Sequence, residues 1–298
     1  MTAADSAPPR YFIAGQACEA PPLAPGLYVV ATPIGNLRDI TIRALETLAA
    51  ADLVLCEDTR TSARLLDHYG IKTTRKPLHE HNERERAEAI VADLARGSVI
   101  ALISDAGTPL LSDPGFPLVR AVREAGIAVF AVPGPSALLA ALTVAGLPTD
   151  RFSFIGFLPP KSGARQKALA ALKERGETLA FYESPRRLAA TLADMAAVLG
   201  GDRDAAVALE LTKRFERLSR GPLEALAAEY GAAETKGEAV ILVAGATANA
   251  PLADDWQAAL EAALATQPLR AAVEVVTERF GLKRKQVYDA ALALKAED

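Results

Sequence analysis

Apolar and polar residues alternate in blocks along most of the chain, and the blocks switch between two periods. Short apolar runs at 27–31, 52–56, 99–104 and 127–132 have the length of buried strands. Between them, 41–51, 83–95, 117–124 and 136–145 repeat apolar residues at helical spacing; Ala87, Ile90, Val91 and Leu94 share one face of 83–95. Strand–helix alternation of this kind predicts a mostly parallel sheet covered on both faces.

A seam falls at Gly146-Leu147-Pro148-Thr149, after which the alternation resumes. Strands are expected at 152–158, 178–182, 205–211 and 239–244, and helices over 164–175 and 185–199. The segment 216–221 reads as a hairpin return, so the second sheet should include antiparallel pairing. An Ala/Asn/Pro stretch at 245–251 reads as a linker, followed by three short helical patterns at 256–265, 269–280 and 284–295. The organisation predicted is a mobile N-terminal extension over 1–25, which holds five prolines, and an α/β domain over 26–147. A second α/β domain covers 148–246, and a helical, helix-turn-helix-like module covers 252–298.

Composition narrows this picture. With 298 residues, half of them hydrophobic and 23% charged, the chain is long enough for two domains and too apolar for disorder. The net charge of −4 provides no global basic field, so a polyanion would have to meet a local basic face. Cys18 and Cys56 cannot staple a chain this long and fit a reducing compartment. No residue between 125 and 149 is charged, which is long enough to suggest a membrane span. Pro133-Gly134-Pro135 interrupts it, so a buried strand and a buried helix are expected instead. The N-terminus has no basic region leading into an apolar run, and a cytoplasmic protein without membrane contact is expected.

Several chemistries lack their residues. There is no phosphate-binding P-loop and no dinucleotide fingerprint after the first strand. Ser136 lies in Gly-Pro-Ser-Ala-Leu, which lacks the second glycine of a hydrolase elbow. His79 and His81 have no convincing third ligand, so no metal site is expected.

Four strand ends carry loops of unusual composition. Thr32-Pro33-Ile34-Gly35-Asn36-Leu37 can be read as a tight turn with a helix cap. Cys56-Glu57-Asp58-Thr59-Arg60 places two carboxylates and an arginine directly after a buried strand; an ion pair with a cap would explain it, and so would function. Ser104-Asp105-Ala106-Gly107-Thr108-Pro109, with Ser112-Asp113-Pro114-Gly115, and Val132-Pro133-Gly134-Pro135-Ser136-Ala137 are rich in Gly and Pro. Such loops let the backbone approach a ligand at the carboxyl ends of strands.

On the strings TPIGNLRDIT, CEDTR, HEHN, SDAGTPLLSDPG, VPGPSA, GFLP and FYESP, the chain from 27 to 245 resembles the tetrapyrrole methylase superfamily. Within it, these strings are similar to the bacterial branch that methylates a cytidine ribose 2′-oxygen in the 16S ribosomal RNA of the small subunit. The resemblance implies two α/β domains with S-adenosyl-L-methionine held in the cleft between them, and a homodimer. Carried over by motif, the cofactor contacts would be Pro33, Asp105, Ala106, Gly107, Thr108, Gly134, Ser136, Ala137, Tyr182, Glu183, Leu211, Gly237, Glu238 and Ala239.

The ribose hydroxyl is a weak acid, so a base or a late proton transfer is needed. Glu57, Asp58 and His81 are the candidates, with Arg60 and Asn82 positioning phosphate or base edges. Residues 151–190 carry eight cations against three carboxylates, which suggests RNA contacts at Lys161 and Arg165. Lys283, Arg284 and Lys285 open the last helix and are expected to dock RNA. Two other readings stay open: a methylase of a small, precorrin-like tetrapyrrole, and a non-catalytic RNA-binding assembly protein.

Overall fold

The computed structural model describes residues 8–79, 82–232, 235–246 and 255–296. Its first element is a hairpin, with β1 (Arg10–Ile13) antiparallel to β2 (Gln16–Glu19) across a turn that puts Ala14 and Gly15 at positive φ. The expectation of a mobile extension is therefore corrected over these residues. Tyr11 is buried against the first core, and the Phe12 N–H donates to the Tyr69 carbonyl at 2.9 Å. The strands are only four residues long and flanked by prolines, which hid their alternation.

The first sheet is built from β3 (Gly26–Val30), β4 (Leu53–Cys56), β5 (Arg75–Pro77), β6 (Val99–Leu102) and β7 (Val129–Val132). All pairs are parallel, in the order β5-β4-β6-β3-β7. Alternation along β6 explains the two covered faces. Val99 and Ala101 pack with α1 (Ile42–Ala50) and α2 (Thr59–His68), whereas Ile100 and Leu102 pack with α3 (Glu83–Ala95) and α4 (Phe116–Glu124). The buried Glu83 carboxylate accepts the Leu118 N–H at 3.1 Å and so ties α3 to the start of α4. Because β3 lies between β6 and β7, the loops leaving these three strands emerge side by side. β5 is an Arg-Lys-Pro edge strand with no apolar run to announce it.

The last helix of this half is α5 (Ala137–Val144), which accounts for the uncharged stretch. Its Leu138, Ala141 and Leu142 pack on Ala180, Ala206, Ala208, Val240 and Leu242 of the second sheet. Three alanines on that sheet leave room for the helix backbone to come close. Among the described residues, no helix is long and apolar enough to cross a membrane.

The second half runs β8 (Phe152–Phe157), α6 (Ser162–Ala170), β9 (Thr178–Glu183), α7 (Leu188–Leu199), β10 (Asp204–Leu209), β11 (Arg217–Pro222), α8 (Leu223–Gly231) and β12 (Ala239–Val243). Its sheet order is β11-β10-β12-β9-β8; β8 and β9 are parallel and the other pairs antiparallel. The hairpin return expected at 216–221 is β11, paired with β10. The described residues of both halves form one compact unit.

The structure overturns one expected RNA contact in this half. Arg165 is 3% exposed, and its Nε donates to the Asp194 Oδ2 at 2.6 Å. A second nitrogen donates to the Pro160 carbonyl at 3.2 Å. The guanidinium joins α6 to α7 and cannot reach an external phosphate, whereas Lys161 is exposed.

Of the described residues, the second compact unit comprises 174–176, 245–246 and 255–296. Its α9 (Asp255–Thr266), α10 (Leu269–Phe280) and α11 (Arg284–Ala296) share a core of Trp256, Leu260, Val273, Val276 and Val287. Gly281 adopts the left-handed conformation that ends α10, and the Lys283 carbonyl accepts from Val287 N–H as α11 begins. Lys283, Arg284 and Lys285 are exposed, with no ion pair among the described residues.

Removing one partner of a buried pair leaves the other charge uncompensated, at a cost of about 3–5 kcal/mol. Asp194→Ala should therefore lower the melting temperature sharply by calorimetry. A melting temperature equal to that of the parent protein would show that the Arg165 pair does not hold α6 on α7.

Candidate active site

The carboxyl ends of β3, β6 and β7 meet through hydrogen bonds between their loops. The Thr32 N–H donates to the Gly107 carbonyl at 2.8 Å, and the Gly107 N–H returns to the Thr32 carbonyl at 2.9 Å. The Thr32 hydroxyl donates to the Ser104 carbonyl at 3.2 Å, and the Thr108 hydroxyl to the Pro135 carbonyl at 3.1 Å. The third strand-end loop is thus tied to the first and the fourth. Gly107 sits at φ +82°, a left-handed conformation that a side chain would strain.

Leu110 and Ser112 also lie at positive φ, as do Glu210 and Thr212 in the second half. Each such residue costs about 1–3 kcal/mol, and such strain concentrates at functional sites. The two pairs bracket Leu111 and Leu211, which both line a pocket of about 340 Å³. Gly156, at a bulge in β8, brings that strand against Ser112; a Cβ there would lie 3.0 Å from the Ser112 hydroxyl.

The pocket draws together most of the cofactor positions expected from sequence. Asp105, Ala106, Gly107, Thr108, Ala137, Tyr182, Glu183, Leu211, Glu238 and Ala239 all line it. The other four expected positions do not line it. Pro33 is buried next to Ile34, which does line the pocket. Gly134 lies against Ala31, and Ser136 caps α5 by accepting the Leu139 N–H. Gly237 leaves the space filled by the Glu210 carboxylate, which accepts the Glu238 N–H at 3.0 Å and the Lys213 ammonium at 2.9 Å.

Glu183 has no free carboxylate to offer. That carboxylate accepts the Thr191 hydroxyl at 2.6 Å and the Ser184 N–H at 2.8 Å, and it pairs with Arg187 at 3.3 Å. Tyr182 presents its ring, with Phe154 and Phe157 edge-on at 4.8 and 5.7 Å. Ile34, Ala208 and Val240 add apolar wall, and Asp113 adds a carboxyl that sequence reasoning did not single out. Burial pushes the Asp113 carboxyl up to about 6, the Ser104 hydroxyl opposes this, and the Glu57 and Asp105 charges push the same way as burial. Its position inside a motif quoted for its glycines and prolines was the available signal.

The expected catalytic loop lies beside the pocket rather than in its wall. The Asp58 N–H donates to the Asp105 Oδ1 at 3.1 Å, which joins the β4 loop to the β6 loop. The Asp58 carboxylate caps α2 by accepting the Arg60 N–H at 2.8 Å, and that bond, with the Arg60 guanidinium at 3.3 Å, holds it below the usual carboxylate range. The cap and ion pair are both present. Arg60 is almost fully exposed otherwise. Burial, then the Asp105 charge, raises the Glu57 carboxyl. Asn82 spends its side chain on the turn, accepting the His79 N–H at 3.0 Å and meeting the His79 Nε2 at 3.1 Å. It does not stand free to read a base edge. His81 lies outside the described residues. Among the described residues, no cluster of three or more metal-ligating side chains occurs.

Comparison with known proteins agrees with this geometry. The profile of the Tetrapyrrole (Corrin/Porphyrin) Methylases matches residues 26–227, and that of the RsmI C-terminal HTH domain matches 250–295. Ribosomal RNA small subunit methyltransferase I of Mesorhizobium japonicum is 52% identical over 92% of this chain and 94% of its own length. The protein of the same name from Escherichia coli O157:H7 is 48% identical over 89% and 94%. Among solved structures, the cobalt precorrin-4 methyltransferase CbiF superposes with a TM-score of 0.57 at 17% identity, over 73% of this chain and 94% of its own. A Thermus thermophilus uroporphyrin-III C-methyltransferase complexed with S-adenyl homocysteine gives 0.52 at 21% identity, over 74% and 97%. The fold, the profile match and the near-full-length relatives agree: the chain belongs to the tetrapyrrole methylase family, in the branch whose curated members are named ribosomal RNA small subunit methyltransferase I.

Proposed function

We propose that this methyltransferase uses S-adenosyl-L-methionine to methylate the ribose 2′-oxygen of a cytidine in 16S ribosomal RNA, acting in the cytoplasm as a homodimer. The observation that carries the reading is the pocket itself, walled by strand-end loops of both sheets in a chain about half identical to ribosomal RNA methyltransferases. The donor, when bound, supplies a methyl group on a positively charged sulfur. The residues present fit such a molecule. Apolar Ile34, Leu211, Ala208 and Val240 suit a purine, and backbone groups of the 105–108 loop suit its polar edges. The carboxylates of Asp105 and Asp113 suit the cationic end. The chain's task is to hold the 2′-oxygen in line with the methyl and exclude water.

A small-tetrapyrrole substrate is disfavoured by Lys283, Arg284 and Lys285, an exposed cationic cluster on the helical unit that suits phosphates instead. A non-catalytic assembly role is disfavoured by the strained residues gathered round the pocket.

The cofactor assignment predicts that S-adenosylhomocysteine binds in the micromolar range without added metal. Gly107→Ala should weaken it by about tenfold in calorimetry, since an L residue at this φ costs about 1–2 kcal/mol. Unchanged affinity would place the cofactor elsewhere. The substrate assignment predicts that primer extension on ribosomal RNA from a deletion strain loses one ribose-methylation stop at a cytidine, restored by the intact gene. No lost stop contradicts it. Charge reversal of Lys283, Arg284 and Lys285 should weaken binding to small ribosomal subunits and flatten its salt dependence, with cofactor affinity unchanged. If RNA affinity and salt slope hold, the helical unit is not the docking element.

A further inference from the structure

The helical unit has a groove of its own, about 470 Å³, that shares no residue with the cofactor pocket. Leu269, Arg270 and Val273 come from the opening turns of α10, and Arg284, Lys285 and Tyr288 from those of α11. Val273 belongs to the core of the unit and Leu269 packs against it, so the depth of the groove is apolar. Arg270, Arg284 and Lys285 are exposed, and so is the Tyr288 ring, at 42%.

The cations stand where a helix does not favour them. A helix start stabilises negative charge, yet neither α10 nor α11 has an acidic residue in its first turn. Glu274 and Asp289 lie one turn on from Arg270 and Lys285, where an ion pair could close. Neither pair is closed among the described residues. Three cations without partners, in a chain of net charge −4, attract a polyanion. The apolar depth and the aromatic ring narrow which one. The major groove of an RNA duplex is too deep and narrow for side chains to read, so this helix pair cannot dock there as such pairs do on DNA. A paired backbone would also set only sugars and phosphates against Leu269, Val273 and Tyr288. An unpaired base instead presents a flat face that stacks on a tyrosine ring, and its flanking phosphates are left for the cations.

We propose that this groove holds an unpaired nucleotide of the RNA substrate, its base stacked on Tyr288 and its flanking phosphates bound by Arg270, Arg284 and Lys285. The inference rests on the ribosomal RNA reading and deepens it, because it assigns what the helical unit recognises: single-stranded RNA rather than a duplex. Arg270 and Tyr288 thereby join the cationic run at the start of α11 as RNA-binding residues. These contacts are made to backbone charge and to the face of a base, so the groove selects strandedness and tolerates any base.

The test titrates the full chain into a short oligouridylate carrying one 2-aminopurine, and into an RNA duplex of equal length. The parent should bind the single strand at least about fivefold more tightly than the duplex, and stacking should quench the 2-aminopurine. Tyr288→Ala should weaken single-strand binding by at least about fivefold and abolish the quenching, whereas Tyr288→Phe, which keeps the ring, should match the parent. Arg270→Gln should weaken binding and reduce the slope of log affinity against log salt by about 0.7, one phosphate contact on a single strand. Affinity for S-adenosylhomocysteine should stay parental in all three variants. Duplex binding as tight as single-strand binding overturns the proposal, and so does a parent that does not bind the single strand. Parental affinity and quenching in Tyr288→Ala overturn it as well. Should Tyr288→Ala fail to fold, an unchanged salt slope in Arg270→Gln overturns it equally. Methylation of purified, unmodified small ribosomal subunits separates this claim from the reading beneath it. Turnover by a parent whose Tyr288→Ala variant binds single strands unchanged refutes only the groove. Tyr288-dependent binding without turnover refutes only the ribosomal substrate.

Discussion

The paired hydrogen bonds between Thr32 and Gly107 fix the loop after β3 against the loop after β6, and the rest of the pocket is arranged on that bridge. Both loops leave neighbouring parallel strands, so the sheet has already brought their ends together. The bridge then sets their register. From it, Thr108 reaches the Pro135 carbonyl, so three strand ends become one continuous wall, and Asp105 reaches the Asp58 N–H, which ties the β4 loop beside that wall. A buried polar backbone without such partners would be costly, and the loops meet that demand from one another.

The second half closes the wall because α5 is almost wholly apolar. It packs on an alanine-rich face of the second sheet, and the ends of β9, β10 and β12 therefore lie over the first sheet's loops. The price of closure is visible as strain, since Leu110, Ser112, Glu210 and Thr212 all take left-handed conformations on either side of pocket residues. The raised carboxyl of the half-buried Asp113 follows from the same closure, which removes water from a loop already rich in acidic groups.

Most of the architecture was legible because strands buried on both faces write themselves as apolar runs, and α3 and α10 follow plain helical spacing. The hairpin at β1 and β2 escaped because its alternation is two residues deep between prolines. β5 escaped because an edge strand of Arg-Lys-Pro has no apolar signal. At the site, the Gly/Pro loops announced the pocket correctly, but charge alone was a poor guide to role. Arg165 read as a phosphate contact and is a buried structural cation, while Asp58, read as a candidate base, and Asn82, read as a positioning group, form a helix cap and a turn. Burial and hydrogen-bond partners set such roles, and neither is written in one dimension.

Hydrogen exchange with and without S-adenosylhomocysteine tests the central claim most directly, namely that one ligand is held by loops of both sheets. The account predicts new protection at 31–37, 104–113 and 134–138 together with 182–185 and 237–240, and none in the helical unit. Protection confined to the loops of a single sheet, or centred on α9–α11, would contradict it.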